Sequence, residues 1–116
     1  MKTFAQAIDL IDDPDRIATY ERYHTQIWPE VTRGLRALGI ERMHIWRTGN
    51  RLFMTFEAPD DFNPDRDYQT YTENARCREW DELMRSYQRR IPSVTNTDDG
   101  WWTPMDLVFD LEAQHS

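Results

Sequence analysis

Cysteine is nearly missing from this chain of 116 residues. Cys77 stands alone, so no internal disulfide framework can form, and a lone thiol fits a reducing compartment, with the cytoplasm as the expected location. Long apolar runs are missing too. Nothing approaches the roughly 18 residues of a membrane span, and the opening Met1-Lys2-Thr3-Phe4-Ala5-Gln6 has no signal-peptide core. Positive charge is short: 14 Lys and Arg against 21 Asp and Glu leave a net charge of −7. Such a surface repels phosphate backbones and anionic lipid, so neither nucleic acid nor membrane is an expected partner. With four glycines in all there is no glycine-rich phosphate loop and no G-x-S-x-G elbow, which removes the usual support for nucleotide use and serine-hydrolase chemistry. No H-E-x-x-H and no cysteine pair occurs either, so neither a metal nor an organic cofactor is expected.

Aromatic residues, by contrast, make up 13% of the chain, with five tryptophans, several beside charged or histidine residues. Large rings beside polar groups are the composition of a small-molecule pocket or of an oligomer interface. The length allows one domain that buries about two thirds of its unfolded surface. We place it at residues 1–111, followed by a flexible tail at 112–116.

Alternation of apolar positions predicts a strand over residues 3–10, with Phe4, Gln6, Ile8 and Leu10 on one face. Asp13-Pro14-Asp15 is a helix start: a capping aspartate, proline at the first helical position and an acid at the positive helix end. The helix is expected to reach Leu38 and stop at Gly39, with Pro29 kinking or splitting it after Trp28. Residues 40–48 and 51–57 read as strands joined by a Gly49-Asn50 turn, His44 and Trp46 sharing one face and Met43 and Ile45 the other. A loop over 58–67, a second helix over 68–89, a polar loop over 91–100 and a last strand over 105–111 complete the chain. The order β-α-β-β-α-β is the ferredoxin-like α+β pattern, an antiparallel sheet with two helices on one face. Apolar side chains project from both sides of several strands, so a homodimer pairing its sheets face to face is expected.

The most informative segment runs from Tyr20 to Glu30. Tyr20 and His24 are four apart and stack on one helical face, and Trp28 is expected one turn further on. Histidine both gives and takes a proton near neutral pH, yet a tyrosine and a histidine on a buried stripe are ordinarily core residues. His44 either lines the same cavity or sits at an edge. His115 falls in the tail. Cys77 reads as inert packing, and Trp80, Trp101 and Trp102 as stacking or interface residues.

Tyr20-x-x-x-His24 followed by Ile27-Trp28-Pro29-Glu30, a Leu52-Phe53 strand, Cys77-x-x-Trp80 and a closing Val108-Phe109-x-Leu111 resemble the L-rhamnose mutarotase family over nearly the whole chain. The resemblance implies a dimeric α+β barrel that interconverts the α and β anomers of a 6-deoxy-L-hexose without metal or cofactor. It implies His24 as proton donor and Tyr20 as a sugar-binding residue. Trp80, Asp81, Met43, His44 and Trp28 are the further candidates for contact with the monosaccharide. The chain departs from rhamnose-type members at Met43, where they have a tyrosine, and at Trp80-Asp81, where they have a tryptophan pair. Its loop around residues 58–70 is also longer. L-Fucose therefore rivals L-rhamnose as the sugar. Two other readings of the same residues are a cofactor-independent oxygenase of a small aromatic substrate and a non-catalytic sugar-binding dimer.

Overall fold

The computed structural model describes residues 1–92 and 101–114. Strand β1 (Lys2–Leu10) is followed by helices α1 (Pro14–Thr25) and α2 (Pro29–Ala37), then strands β2 (Glu41–Thr48) and β3 (Arg51–Ala58). Helices α3 (Pro64–Thr72) and α4 (Ala75–Arg85), the short strands β4 (Gln88–Arg89) and β5 (Thr103–Pro104), and a 3-10 turn at Leu111–Ala113 complete it. All strand pairs are antiparallel. The order is β2-β3-β1, and β4 and β5 share the outer edge of β1. This is the ferredoxin-like α+β arrangement, with the helices packed on one face of the sheet.

The first helical segment is split by its proline. Pro29 has no N–H to donate and crowds the residue before it, so Trp28 turns to an extended ψ of 133° and the helix restarts at Pro29. The Asp13 side chain caps α1 by accepting from the Asp15 N–H at 2.9 Å. The second helix differs from the expected 68–89 in two ways. It begins earlier, because Asn63-Pro64-Asp65 repeats the cap-proline-acid signature of Asp13-Pro14-Asp15, with Asn63 accepting from the backbone of Asp65 and Arg66. It is also broken at Asn74, whose side chain caps a new helix by accepting from Arg76 and Cys77. Helix α4 ends at Arg85 with Ser86 as its C-cap, still in helical geometry, and Gln88 and Arg89 then pair with β1 as a strand.

The hairpin forms at Gly49-Asn50 as the sequence predicts. Gly49 takes a positive φ of 57°, which glycine adopts without steric cost. One bulge lies between Glu41 and His44, where Arg42 adopts a φ of 50°. The last strand is corrected. Residues 105–111 were expected to complete the sheet, but pairing with β1 ends at Pro104, apart from one Met105 N–H bond to the Ala5 carbonyl. Beyond that point the segment carries its apolar side chains into solvent, Leu107 80% and Val108 94% exposed. Its alternation is that of a strand, but among the described residues no surface covers it. The loop expected over 91–100 lies mostly outside the described residues, as does His115.

Ile8, Leu10 and Leu52 from the sheet meet Tyr20, Val31, Tyr71, Cys77, Trp80 and Met84 from the helices in one core. Ile40, Met54, Phe56, Ala58 and Phe62 form a second. Helix α2 comes close to α3 and α4 at Gly34, where a Cβ would stand 3.0 Å from the Cys77 sulfur and 3.1 Å from the Tyr71 ring. The sheet face away from the helices carries His44, Phe53 and Trp46, and Trp46 is 62% exposed.

Candidate active site

Between the sheet and the helices lies a cavity of about 470 Å³, within the range of roughly 300–1,000 Å³ usual for small-molecule sites. Its sheet wall is apolar, made of Phe4, Met43, Ile45, Met54 and Phe56, with Gln6 among them. Its helical wall is polar and aromatic: Tyr20 and His24 from α1, Tyr68 from α3, and Trp80, Asp81 and Arg85 from α4. Gln88 of β4 and the Trp101-Trp102 pair close it.

His24 is held by its own helix. Its Nδ1 lies 2.8 Å from the Tyr20 carbonyl oxygen. A carbonyl only accepts, so Nδ1 carries the proton and Nε2 is the basic nitrogen. Nε2 has no hydrogen-bond partner among the described residues. Burial lowers the imidazole pKa below its ordinary 6.5, with the Tyr20 carbonyl acting in the opposite sense. The ring is wedged between Tyr20, centroids 4.3 Å apart, and Trp80, 5.4 Å away. Tyr20 is buried, and its hydroxyl accepts from Gln88 Nε2 at 3.1 Å. Desolvation pushes the phenol up to about 12 although Gln88 pulls it back, so it stays protonated at any working pH. Asp81 moves the other way from a normal acid: burial raises its carboxyl to about 6, against the pull of Arg85.

Of the residues singled out from sequence, the structure brings His24, Tyr20, Trp80, Asp81 and Met43 to one cavity. Two are elsewhere. Trp28 does not reach the wall; its ring packs behind Trp80 at 5.2 Å, with the Arg76 guanidinium 3.9 Å from its centroid. The helix break resets the helical phase, so Trp28 no longer lies one turn beyond His24. His44 is exposed on the far face of the sheet, 6.1 Å from the Trp46 ring. Neighbours on a strand point to opposite faces, so Met43 and His44 cannot share a cavity within one chain. Sequence reading missed Gln88, Gln6 and Tyr68. A glutamine directly after a helix gives no signal by itself; only its burial beside Tyr20 marks it. Trp101 gains a specific feature, since its indole N–H is buried and has no hydrogen-bond partner among the described residues. Cys77 is buried packing, its thiol 3.4 Å from the Glu30 carbonyl. Among the described residues no group of three or more His, Cys, Asp or Glu side chains is arranged to hold a metal ion.

A ferredoxin-like sheet with a histidine in an aromatic, partly polar cavity under its helices defines a class of small-molecule proteins, and comparison places the chain within that class. Residues 3–111 match the sequence profile of the L-rhamnose mutarotase family, and the chain belongs to that family. It is 45% identical to a UPF0734 protein of Dictyostelium discoideum, over 96% of this chain and 90% of that one. It is 34% identical to an L-fucose mutarotase of Xanthomonas campestris, over 96% of this chain and 89% of the relative. Among solved structures, an L-rhamnose mutarotase of Formosa agariphila shares its fold with a TM-score of 0.69 at 20% identity, covering 97% of this chain and all of that one.

Proposed function

We propose that this protein is a mutarotase that opens and recloses the pyranose ring of a 6-deoxy-L-hexose, with L-fucose favoured over L-rhamnose. The observation that carries the reading is the His24 imidazole: fixed through Nδ1, neutral near pH 7, with a free Nε2 on the wall of a sugar-sized cavity. Mutarotation needs a proton taken from the anomeric hydroxyl, a proton delivered to the ring oxygen, and room for rotation about C1–C2. His24 Nε2 takes the anomeric proton on opening and returns it on closure, so the expected proton donor acts as a base in one direction and an acid in the other. Tyr20 and Trp80 hold the imidazole and offer a hydroxyl and a ring face to the sugar. The apolar sheet wall, Met43 included, suits the C–H face and the C6 methyl. Asp81 and Gln6 face it with hydrogen-bonding groups. The preference for L-fucose is supported by the 34% identical relative, an L-fucose mutarotase, and by the departures from the rhamnose-type pattern that the family resemblance implies at Met43 and Asp81. Polarimetry of freshly dissolved α-L-fucose and α-L-rhamnose tests the reading. Faster approach to equilibrium with L-fucose supports it; equal rates with and without protein for both sugars overturn it.

Trp101 lines the cavity, and its buried N–H, unpartnered among the described residues, becomes a donor to a sugar oxygen once the ring turns toward the bound sugar. Trp101→Phe keeps most of the ring and removes the donor. It is expected to raise KM about 5- to 10-fold, the equivalent of one hydrogen bond, with kcat little changed. Unchanged KM would assign that N–H to water.

The active form is a homodimer on this reading. The apolar segment after Pro104 and the exposed Trp46 face are surfaces that a monomer does not keep dry, and a second copy of the chain covers them. Sedimentation velocity is expected to show twice the chain mass, falling to the monomer on truncation after Pro104. A full-length monomer at micromolar concentration contradicts this. Free, buried Cys77 suits a reducing cytoplasm.

A further inference from the structure

We propose that Asp81 is the second acid/base group of this site, exchanging a proton with the pyranose ring oxygen while His24 exchanges one with the anomeric oxygen. The inference rests on the mutarotase reading and assigns the half of the chemistry that His24 leaves open.

Placement is the first support. Asp81 directly follows Trp80 in α4, the Trp80 ring packs against His24 at 5.4 Å, and both Asp81 and His24 line the same cavity. The second is the lack of a partner. Several acids elsewhere in the fold are paired, among them the buried Asp9 with Arg51 at 2.7 Å, Asp67 with Arg66 at 2.9 Å and Glu79 with Arg76 at 2.9 Å. The half-buried Asp81 carboxyl has neither a hydrogen bond nor an ion pair among the described residues, although Arg85 lies one turn away on the same wall. A carboxyl taken from water and left unpaired destabilises a fold, so its retention calls for a use.

The surroundings fit an acid that holds its proton well above the usual carboxylate range. Tyr68 and Tyr71 of α3, Tyr20 and His24 of α1, Gln6 of β1 and Gln88 of β4 share its cavity, all uncharged when His24 is neutral, and Asp65 in the first turn of α3 is a second acid on the cavity wall. On its own helix Arg85 favours the carboxylate and Glu82 opposes it, and desolvation outweighs both, raising the group to about 6. Burial lowers His24 and raises Asp81, so the imidazole and the carboxyl are moved toward each other from their ordinary values, as suits a pair that exchanges protons with one substrate.

The step balances without any co-reactant. On opening, Nε2 of His24 takes the O1 proton, the O1–H electron pair becomes the second bond of the aldehyde, and the C1–O5 pair leaves to O5. O5 takes the proton from Asp81. After rotation about C1–C2, O5 adds to the other face of C1 and returns its proton to the Asp81 carboxylate. His24 then returns its proton to O1. Both groups regain their starting states with the opposite anomer bound.

The test compares wild type, Asp81→Asn and Asp81→Glu by saturation-transfer NMR on L-fucose across pH 5 to 8, at several sugar concentrations. Asp81→Asn is expected to lower kcat about 100-fold, the usual weight of a general acid, with KM little changed. The fall in wild-type kcat above an apparent pKa near 6 is expected to vanish with it. Asp81→Glu, which restores the proton on a longer arm, is expected to recover part of kcat and the alkaline limb. Raised KM with kcat and the alkaline limb intact in Asp81→Asn would reduce Asp81 to a hydroxyl ligand and overturn the assignment. A wild type that does not accelerate exchange at all removes the mutarotase reading itself, which separates the two failures.

Discussion

His24→Asn is expected to slow anomer exchange by about 100-fold or more while leaving the fold intact, because general acid–base transfer by one positioned side chain contributes about that much. Asparagine keeps polarity and approximate size beside Tyr20 and Trp80, so the packing survives while the proton-exchanging nitrogen is lost. Circular dichroism and sedimentation report the fold, and NMR exchange rates report the chemistry. The variant also carries a stability signature. Burial lowers the folded-state pKa of His24 below the ordinary 6.5, so the unfolded chain binds the proton more readily. The contribution of the neutral imidazole is complete above pH 6.5 and is lost as pH falls through the folded-state value. Wild type is therefore expected to lose stability relative to His24→Asn on acidification below 6.5, and to hold its advantage unchanged above it. Collapse of the fold in His24→Asn at pH 8 would return this residue to the role of an ordinary core histidine.

Trp80→Ala is expected to lower unfolding free energy by about 3–5 kcal/mol, the range for emptying a buried tryptophan site. Trp80 is 5% exposed and its ring meets His24, Trp28 and Tyr23 at centroid distances of 5.4, 5.2 and 6.1 Å. Removing it takes away the surface that fixes the imidazole as well as core contacts, so activity of the folded fraction falls too. Urea denaturation measures the first effect. Trp80→Phe refills part of the volume and is expected to recover much of the stability, so a loss shared equally by both variants would contradict the packing account.

The distribution of what the sequence revealed has physical causes. Asp13-Pro14-Asp15 and Pro29 act through local sterics and local hydrogen bonds, so the start of α1 and the split before α2 were legible. Asn63-Pro64-Asp65 carries the same local code, hidden in a run of acids that also reads as a loop, and Asn74 caps α4 from inside an otherwise continuous helical pattern. Alternation at residues 105–111 specifies an extended segment but not what it lies against; among the described residues nothing covers it. The Tyr20–His24 pair could be read because four-residue spacing survives within one unbroken helix. Trp28 lies beyond the break, where the phase is lost. His44 and Met43 show a different limit: alternation separates the two faces of β2, and only the packing of the helices decides which face meets the cavity. Gln88 and the Trp101 N–H are set by contacts between segments far apart in sequence, which no local pattern encodes.

The most direct test of the central claim is saturation-transfer proton NMR on equilibrated L-fucose and L-rhamnose, with and without the protein, wild type beside His24→Asn. Accelerated α–β exchange with wild type, strongest for L-fucose and lost in His24→Asn, is the result this account predicts. Exchange at the buffer rate for both sugars, or acceleration that survives in His24→Asn, would contradict it.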